Sequence, residues 1–282
     1  MKLAVVTDST AVLPEHIKDK ENLFIVPIPV ILDGKSYNEG VDIEADEYYA
    51  LLKSSKEFPK TSQPSLGEVL SLYEEIGKKG YDTIISIHLS GGISGFVHNL
   101  EGIKDAIDGV KIIPYDSKIT SMPMGHMVES VIELNEAEKN LEEILEHLDI
   151  IRDNTYAYLI VDDLNNLVRG GRLTNGAAII GGLLKIKPIL TFVDGKIVLF
   201  EKIRSTKKAF NRAEEIIGQR IVEIKHPTKL YVIHANNLLV AEEEKEKLQQ
   251  KYPDAEIIIG HFGPVIGSHL GEKAIGIAVS AQ

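Results

Sequence analysis

The chain has 282 residues, 44% of them hydrophobic and 26% charged, a balance that excludes a disordered or fibrous protein and leaves room for a large core. Lys and Arg total 31 against 42 for Asp and Glu, a net charge of −11, so a duplex-binding surface would work against the field of the whole molecule and no nucleic-acid partner is expected. Cysteine is absent, which removes disulfides, thiolate metal sites and cysteine nucleophiles and suits a reducing cytoplasm.

The opening MKLAVVTDST has no apolar run long enough for a signal peptide or a span, so a cytoplasmic protein without membrane insertion is expected. Lys2 to Thr7 reads as a strand whose carboxyl end, Asp8-Ser9-Thr10, opens toward a helix start. Phe24 to Leu32 alternates but carries Pro27 and Pro29, which lack an amide donor, so an edge or irregular strand is expected before the turn Asp33-Gly34. Asp46 to Lys53 reads as helical, and Gly67 to Lys79 shows a helical period in Val69, Leu70, Tyr73 and Ile76. Thr83 to Leu89 is the next buried strand, followed by a glycine-rich turn (Gly91 to Gly95), a helix from Phe96 to Ile107, and a strand from Val110 to Tyr115. This alternation predicts a parallel sheet covered on both faces, with ligands where strand carboxyl ends meet helix starts.

Asn140 to Arg152 is an amphipathic helix, and beyond it the texture changes. A strand (Tyr156 to Val161), a glycine-studded stretch (Leu167 to Gly182), and a hairpin about Asp194-Gly195 joining Ile186–Leu190 to Val193–Phe200 come next. The remainder reads as a helix from Lys207 to Arg220, a strand from Lys229 to His234, a charged helix from Val240 to Lys251, a strand from Glu256 to Gly260, and a tail from Gly263 to Ala281. The expected fold is two-domain α/β: a Rossmann-like parallel-sheet domain over residues 1–154 and a second α/β domain with a mixed sheet over 155–282.

Small hydroxyl residues gather in four stretches: Asp8-Ser9-Thr10, Thr61 to Ser65, Ser90 to Gly95, and Asp116-Ser117 with Ser121. A hydroxyl both donates and accepts, so convergent hydroxyls near helix starts suit a carboxylate or a protonated acid; any one alone also serves as a helix N-cap. Arg169-Gly170-Gly171-Arg172 lacks the Gly-Lys-Ser/Thr ending of a phosphate loop, so its glycines are expected to serve a turn and its arginines to meet carboxylates or a partner. Arg204, with Lys202, Lys207 and Lys208, forms a basic patch able to dock an acidic partner or neutralise an acyl phosphate. No His-Glu-x-x-His or Gly-x-Ser-x-Gly occurs, so neither a metal nor a serine-hydrolase site is expected.

The combination Asp8-Ser9-Thr10, KTSQPS (60–65), LSGGISG (89–95), YDSKITSMPMG (115–125), NLVRGGRLTN (166–175) and FGPVIGSHLGEKAIGI (262–277) resembles the DegV family across nearly the whole chain. The resemblance implies a fatty-acid carrier without catalysis or cofactor of its own. Such a carrier presents the carboxyl group of a long-chain fatty acid to a separate ATP-dependent kinase subunit, which makes acyl phosphate; an acyltransferase is a further partner. Carried over by position, the head group falls to Thr61 or Ser62, Ser94 and His269, with the acid expected at the domain interface and in the second domain; apart from the resemblance, Arg172 and Arg204 are candidate head-group or partner contacts. The chain departs from the family pattern at Gly91 and Phe96, where relatives carry hydroxyls, and at Pro123, where a glycine is common and a changed turn is expected. A tail of about fifteen methylenes gains roughly 0.8 kcal/mol each on leaving water, on the order of 12 kcal/mol gross. Candidate tail-lining residues are Ile179, Ile180, Leu183, Leu184, Ile189, Phe192 and Phe262, with Gly181 and Gly182 leaving space. A stand-alone enzyme acting on an acyl or phosphorylated small molecule in the same crevice is the alternative reading.

Overall fold

The computed structural model describes residues 1–176 and 186–282. In chain order the first part holds β1 (Leu3–Asp8), α1 (Glu15–Lys18), β2 (Leu23–Val26), β3 (Pro29–Leu32), β4 (Lys35–Asn38), α2 (Ala45–Ser54), β5 (Lys60–Thr61), α3 (Leu66–Lys78), β6 (Thr83–His88), α4 (Phe96–Leu100), β7 (Lys111–Asp116), α5 (Ser121–Glu136) and α6 (Leu141–Asp153). The second holds β8 (Thr155–Ile160), α7 (Asn165–Arg169), β9 (Lys187–Val193), β10 (Lys196–Ile203), α8 (Thr206–Glu223), β11 (Thr228–His234), α9 (Leu238–Lys251), β12 (Glu256–His261), α10 (Pro264–Leu270) and β13 (Ile275–Ala281).

β2, β1, β6 and β7 pair in that order as a wholly parallel sheet. Every residue of β1 and β6 is buried, which is why these strands read as unbroken apolar runs rather than alternating ones. The second sheet is mixed, in the order β10-β9-β8-β13-β11-β12, with β11 and β12 parallel and the other pairs antiparallel. Thus the chain is an α/β protein with a parallel four-stranded sheet and a separate mixed six-stranded one. A third, small sheet, β4-β3-β5, carries Thr61 at its edge.

Several expectations need correction. Phe24 to Leu32 is two strands in different sheets: β2 is an edge of the parallel sheet and β3 is the middle of the small one, with Pro27 and Ile28 in the crossing between them. The helix expected from Phe96 to Ile107 stops at Leu100, with Gly102 and the left-handed Gly109 (φ 78°) among the turns that follow. Pro123 stands in the first turn of α5 and not in a connecting turn; there its missing N–H has no helical partner to lose. α5 itself carries no amphipathic signal, because Ser121 to Ile132 are buried all round, packed against β1 and β6 on one side and β11 and β13 on the other. The tail from Gly263 divides into α10 and β13, and β13 is an interior strand of the mixed sheet, paired on both edges.

The hairpin about Asp194-Gly195 is observed as β9–β10, and both turn residues have positive φ (47° and 74°), the pattern of a type I′ turn. Its tip seats on the glycine turn after β6. Ser90 Oγ donates to the Gly195 carbonyl at 2.7 Å, and a Cβ at Gly92 would collide with the Gly195 backbone. At Gly91 a side chain would run into His98 and Asp116, so the absence of a hydroxyl there reflects packing.

Candidate functional site

A narrow slot of about 60 Å³, room for a few water-sized bodies, lies among β8, β13, the ends of α5 and α10, and the glycine turn. Its walls are mainly apolar: Leu89, Ile119, Leu159, Phe192, Phe262 and Ile266 contribute, with Ala157, Gly276 and Ala278 supplying small surfaces from the mixed sheet. Of the residues expected to line a tail, Phe192 and Phe262 do so. Ile189 does not; strand alternation turns it to the opposite face, into a core with Ile160, Ile217 and Ile277. Ile179, Ile180, Gly181, Gly182, Leu183 and Leu184 fall outside the described residues.

Thr61, Ser62, Ser94, Arg172 and His269 all line this slot, and Arg204 does not: it is exposed just beyond β10. The polar group closes on itself through short contacts. Thr61 Oγ1 lies 2.8 Å from His269 Nε2; the His269 ring packs on the Cα of Gly170; Arg172 Nη1 donates to the Gly170 carbonyl at 2.6 Å; and Arg172 Nε donates to the Ile93 carbonyl at 3.1 Å, beside Ser94. Gln63, also at the slot, accepts from Asn99 Nδ2 at 2.8 Å. The arginine-glycine motif therefore positions both Arg172 and the histidine ring.

His269 is buried, and burial first, then the charge of Arg172, pulls its pKa down to about 4. The imidazole is neutral at pH 7, and among the described residues its Nδ1 has no hydrogen-bond partner. Among the described residues no carboxylate lies within ion-pair distance of Arg172, whose own pKa is lowered by burial while the guanidinium stays charged. A half-buried cation, a neutral ring and hydroxyls thus share an otherwise apolar slot, a set with the charge and the donors that a carboxyl group requires. Ser121 adds a strained backbone (φ 61°) and, at the start of α5, a buried hydroxyl without a partner among the described residues.

Gly170→Ala tests this arrangement. The added methyl meets the His269 ring and the Asn166 carbonyl, so the ring must leave its place under Thr61. We expect carboxylate binding to weaken by about 1–2 kcal/mol, the scale of one or two lost hydrogen bonds, as read by isothermal titration; unchanged affinity would show that His269 is not held by this contact.

The first hydroxyl stretch has a structural part instead. Asp8 accepts from Thr10 N and Oγ1 (3.1 and 2.6 Å) and from Leu89 N (2.9 Å), and contacts His88 Nδ1 at 3.0 Å. His88 Nε2 in turn lies 2.7 Å from Ser86 Oγ, which meets Tyr73 OH at 2.7 Å. The Asp-His-Ser order is that of a hydrolase triad, but all three are fully buried and none lines the slot. Asp116 likewise braces the glycine turn, accepting from Gly91 N and Lys118 N.

A family model described as "Uncharacterised protein, DegV family" matches residues 2–282. A DegV domain-containing protein of Listeria monocytogenes is 46% identical over 281 residues, covering 100% of this chain and 99% of its own. Among solved structures, a fatty acid binding DegV family protein from Streptococcus agalactiae superposes with a TM-score of 0.95 at 38% identity, covering 100% of this chain and 99% of that one. DegV of Bacillus subtilis, described as a fatty acid binding protein, superposes at 0.91 with 40% identity over the whole of both chains. With residues 2–282 matched by the family model and a relative 46% identical over 281 residues, the chain belongs to the DegV family.

Proposed function

We propose that this protein binds a long-chain fatty acid, with the acyl tail in the slot and the carboxyl group among Thr61, Ser62, Ser94 and His269, Arg172 supplying the counter-charge. The observation that carries the reading is the mainly apolar slot lined also by a half-buried arginine with no carboxylate of its own among the described residues. The fatty acid binding described for the Streptococcus agalactiae and Bacillus subtilis relatives supports it. At about 60 Å³ the slot is tight, so admitting a tail requires wall side chains such as the half-buried Ile93 and Phe192 to swing aside.

In the same reading residues 1–154 and 155–282 are the two domains, and the protein is a cytoplasmic carrier that offers the carboxyl group to an ATP-dependent kinase subunit, the exposed Arg204 serving as a partner contact. Among the described residues no helix is long and apolar enough to cross a membrane. Native mass spectrometry of the purified protein tests the binding: co-purifying fatty acid supports it, whereas a ligand-free protein that turns over an acyl or phosphorylated small molecule unaided supports a stand-alone enzyme instead. Acyl phosphate formed only when ATP and the kinase subunit are both present tests the presentation step.

The head group orients more than it binds. Ser94→Ala removes one neutral hydrogen bond, worth about 1 kcal/mol, so we expect Kd to rise only severalfold while kinase-dependent phosphorylation falls by a larger factor. Equal losses in both assays would show that Ser94 contributes affinity alone.

A further inference from the structure

Three metal-ligating side chains converge on α5, away from the slot, and none of them lines it. Glu129 and Glu133 stand one turn apart on α5, and His16 reaches them from α1. His16 Nε2 is 3.4 Å from Glu129 Oε1 and 3.9 Å from Glu133 Oε1, and all three donor atoms lie within 4.8 Å of one another. Ligands at zinc-bond lengths of about 2.0–2.2 Å in a tetrahedral arrangement stand roughly 3.4 Å apart, so the first separation already fits and the second closes with a small swing of Glu133.

Glu129 is the anchor. It is 9% exposed, against 59% for His16 and 61% for Glu133. Its second oxygen is taken by His126 Nδ1 at 3.2 Å and Lys229 Nζ at 3.3 Å, while His126 Nε2 lies 3.1 Å from the Ala281 carbonyl. These contacts orient the carboxylate with Oε1 toward His16, the outer-shell bracing typical of a metal ligand. The His126 hydrogen bond is the main influence holding Glu129 below the ordinary carboxylate range, with Lys229 adding to it.

We propose that His16, Glu129 and Glu133 form a site for one divalent transition-metal ion of the zinc type, with water completing its coordination. Imidazole together with two carboxylates favours such an ion over magnesium or calcium, which take oxygen ligands. Bound there, the ion staples the short, largely exposed α1 to the buried α5. Without a metal the same three groups form only a histidine ring held between two carboxylates.

The test is isothermal titration of the chelator-stripped full chain with zinc chloride. One zinc per chain is expected, with His16→Ala and Glu133→Gln each weakening binding more than about tenfold and Glu101→Gln, a surface control paired with Lys104, leaving it unchanged. Thermal unfolding separates lost ligation from misfolding: in chelator the parent and both site variants melt together, and zinc raises the midpoint of the parent and of Glu101→Gln by more than that of either site variant. No zinc uptake by the parent, or undiminished uptake by either site variant, overturns the site.

Discussion

Shortening the ligand from hexadecanoate to dodecanoate is expected to weaken binding by about 3 kcal/mol, roughly two orders of magnitude in Kd, because four methylenes at about 0.8 kcal/mol each no longer leave water. In the proposed binding mode, once the slot has opened, the tail meets apolar surface on Leu159, Phe192 and Phe262, with Ala157, Gly276 and Ala278 of the mixed sheet also on its wall. The carboxyl end is the same for both acids and cancels in the comparison. This places the tail well above any single head-group contact, each worth about 1 kcal/mol. Displacement titration with a homologous series of saturated acids reads the slope directly. A flat series would mean that the tail stays in solvent, and it would sink the proposed binding mode even if the carboxyl group were gripped as described.

How far this site could be read before the fold was known depends on the kind of signal each residue emits. The strands β1 and β6 announce themselves, since LAVVTD and TIISIH are β-rich runs bounded by polar turns. The β9–β10 hairpin is legible from Asp194-Gly195, and α6 from Asn140 and Glu143, which form a reciprocal capping box. α5 is illegible for a physical reason: a helix buried on every side has no polar stripe to mark its period, and it contains Gly125, His126 and Glu129. β13 hides similarly, as an interior strand with glycine in its pattern. Thr61, Ser94 and the Arg172 loop stand out as hydroxyl and glycine clusters, but His269 is one of nine histidines and only the surrounding motif singles it out. Its supports are less visible still. Gly170 matters because of a ring about a hundred residues away, and Tyr48, whose hydroxyl lies 2.8 Å from Ser268 Oγ, belongs to a helix of the first half.

Glu39 holds the other end of that support, and replacing it with glutamine is expected to make the protein more stable at pH 8 by a few kcal/mol. The carboxyl group is buried where the loop after β4 meets α10: Oε1 accepts from Val265 N at 2.9 Å, and Oε2 accepts from Ser9 Oγ at 2.6 Å, while Ser9 Oγ itself accepts from Ile28 N at 3.0 Å. Burial outweighs these hydrogen bonds and, with the nearby charges of Asp8 and Glu44, raises the pKa from 4.5 to about 8. The native state therefore binds this proton more tightly than the unfolded chain does. Its contribution to stability is fully present below pH 4.5, declines as pH rises toward 8, and changes no further above that. At roughly 1.4 kcal/mol per unit of pKa difference, the loss amounts to a few kcal/mol. In Glu39→Gln the side-chain amide carries no titratable proton, keeps an oxygen for Val265 N, and turns its nitrogen toward Ser9, so the penalty disappears. Urea unfolding of the two proteins at pH 5 and pH 8 measures it: similar stabilities at the lower pH and a growing advantage for Glu39→Gln at the higher. His269 titrates in an overlapping acid window, since its depressed pKa gives stability that is lost as pH falls from 6.5 toward 4. That term is common to both proteins and cancels in their difference. A difference that stays level between pH 5 and pH 8 would show that Glu39 is ionised in the folded protein, and the anchoring of α10, with Ser268 and His269 on it, would then rest on a charge rather than on a neutral acid.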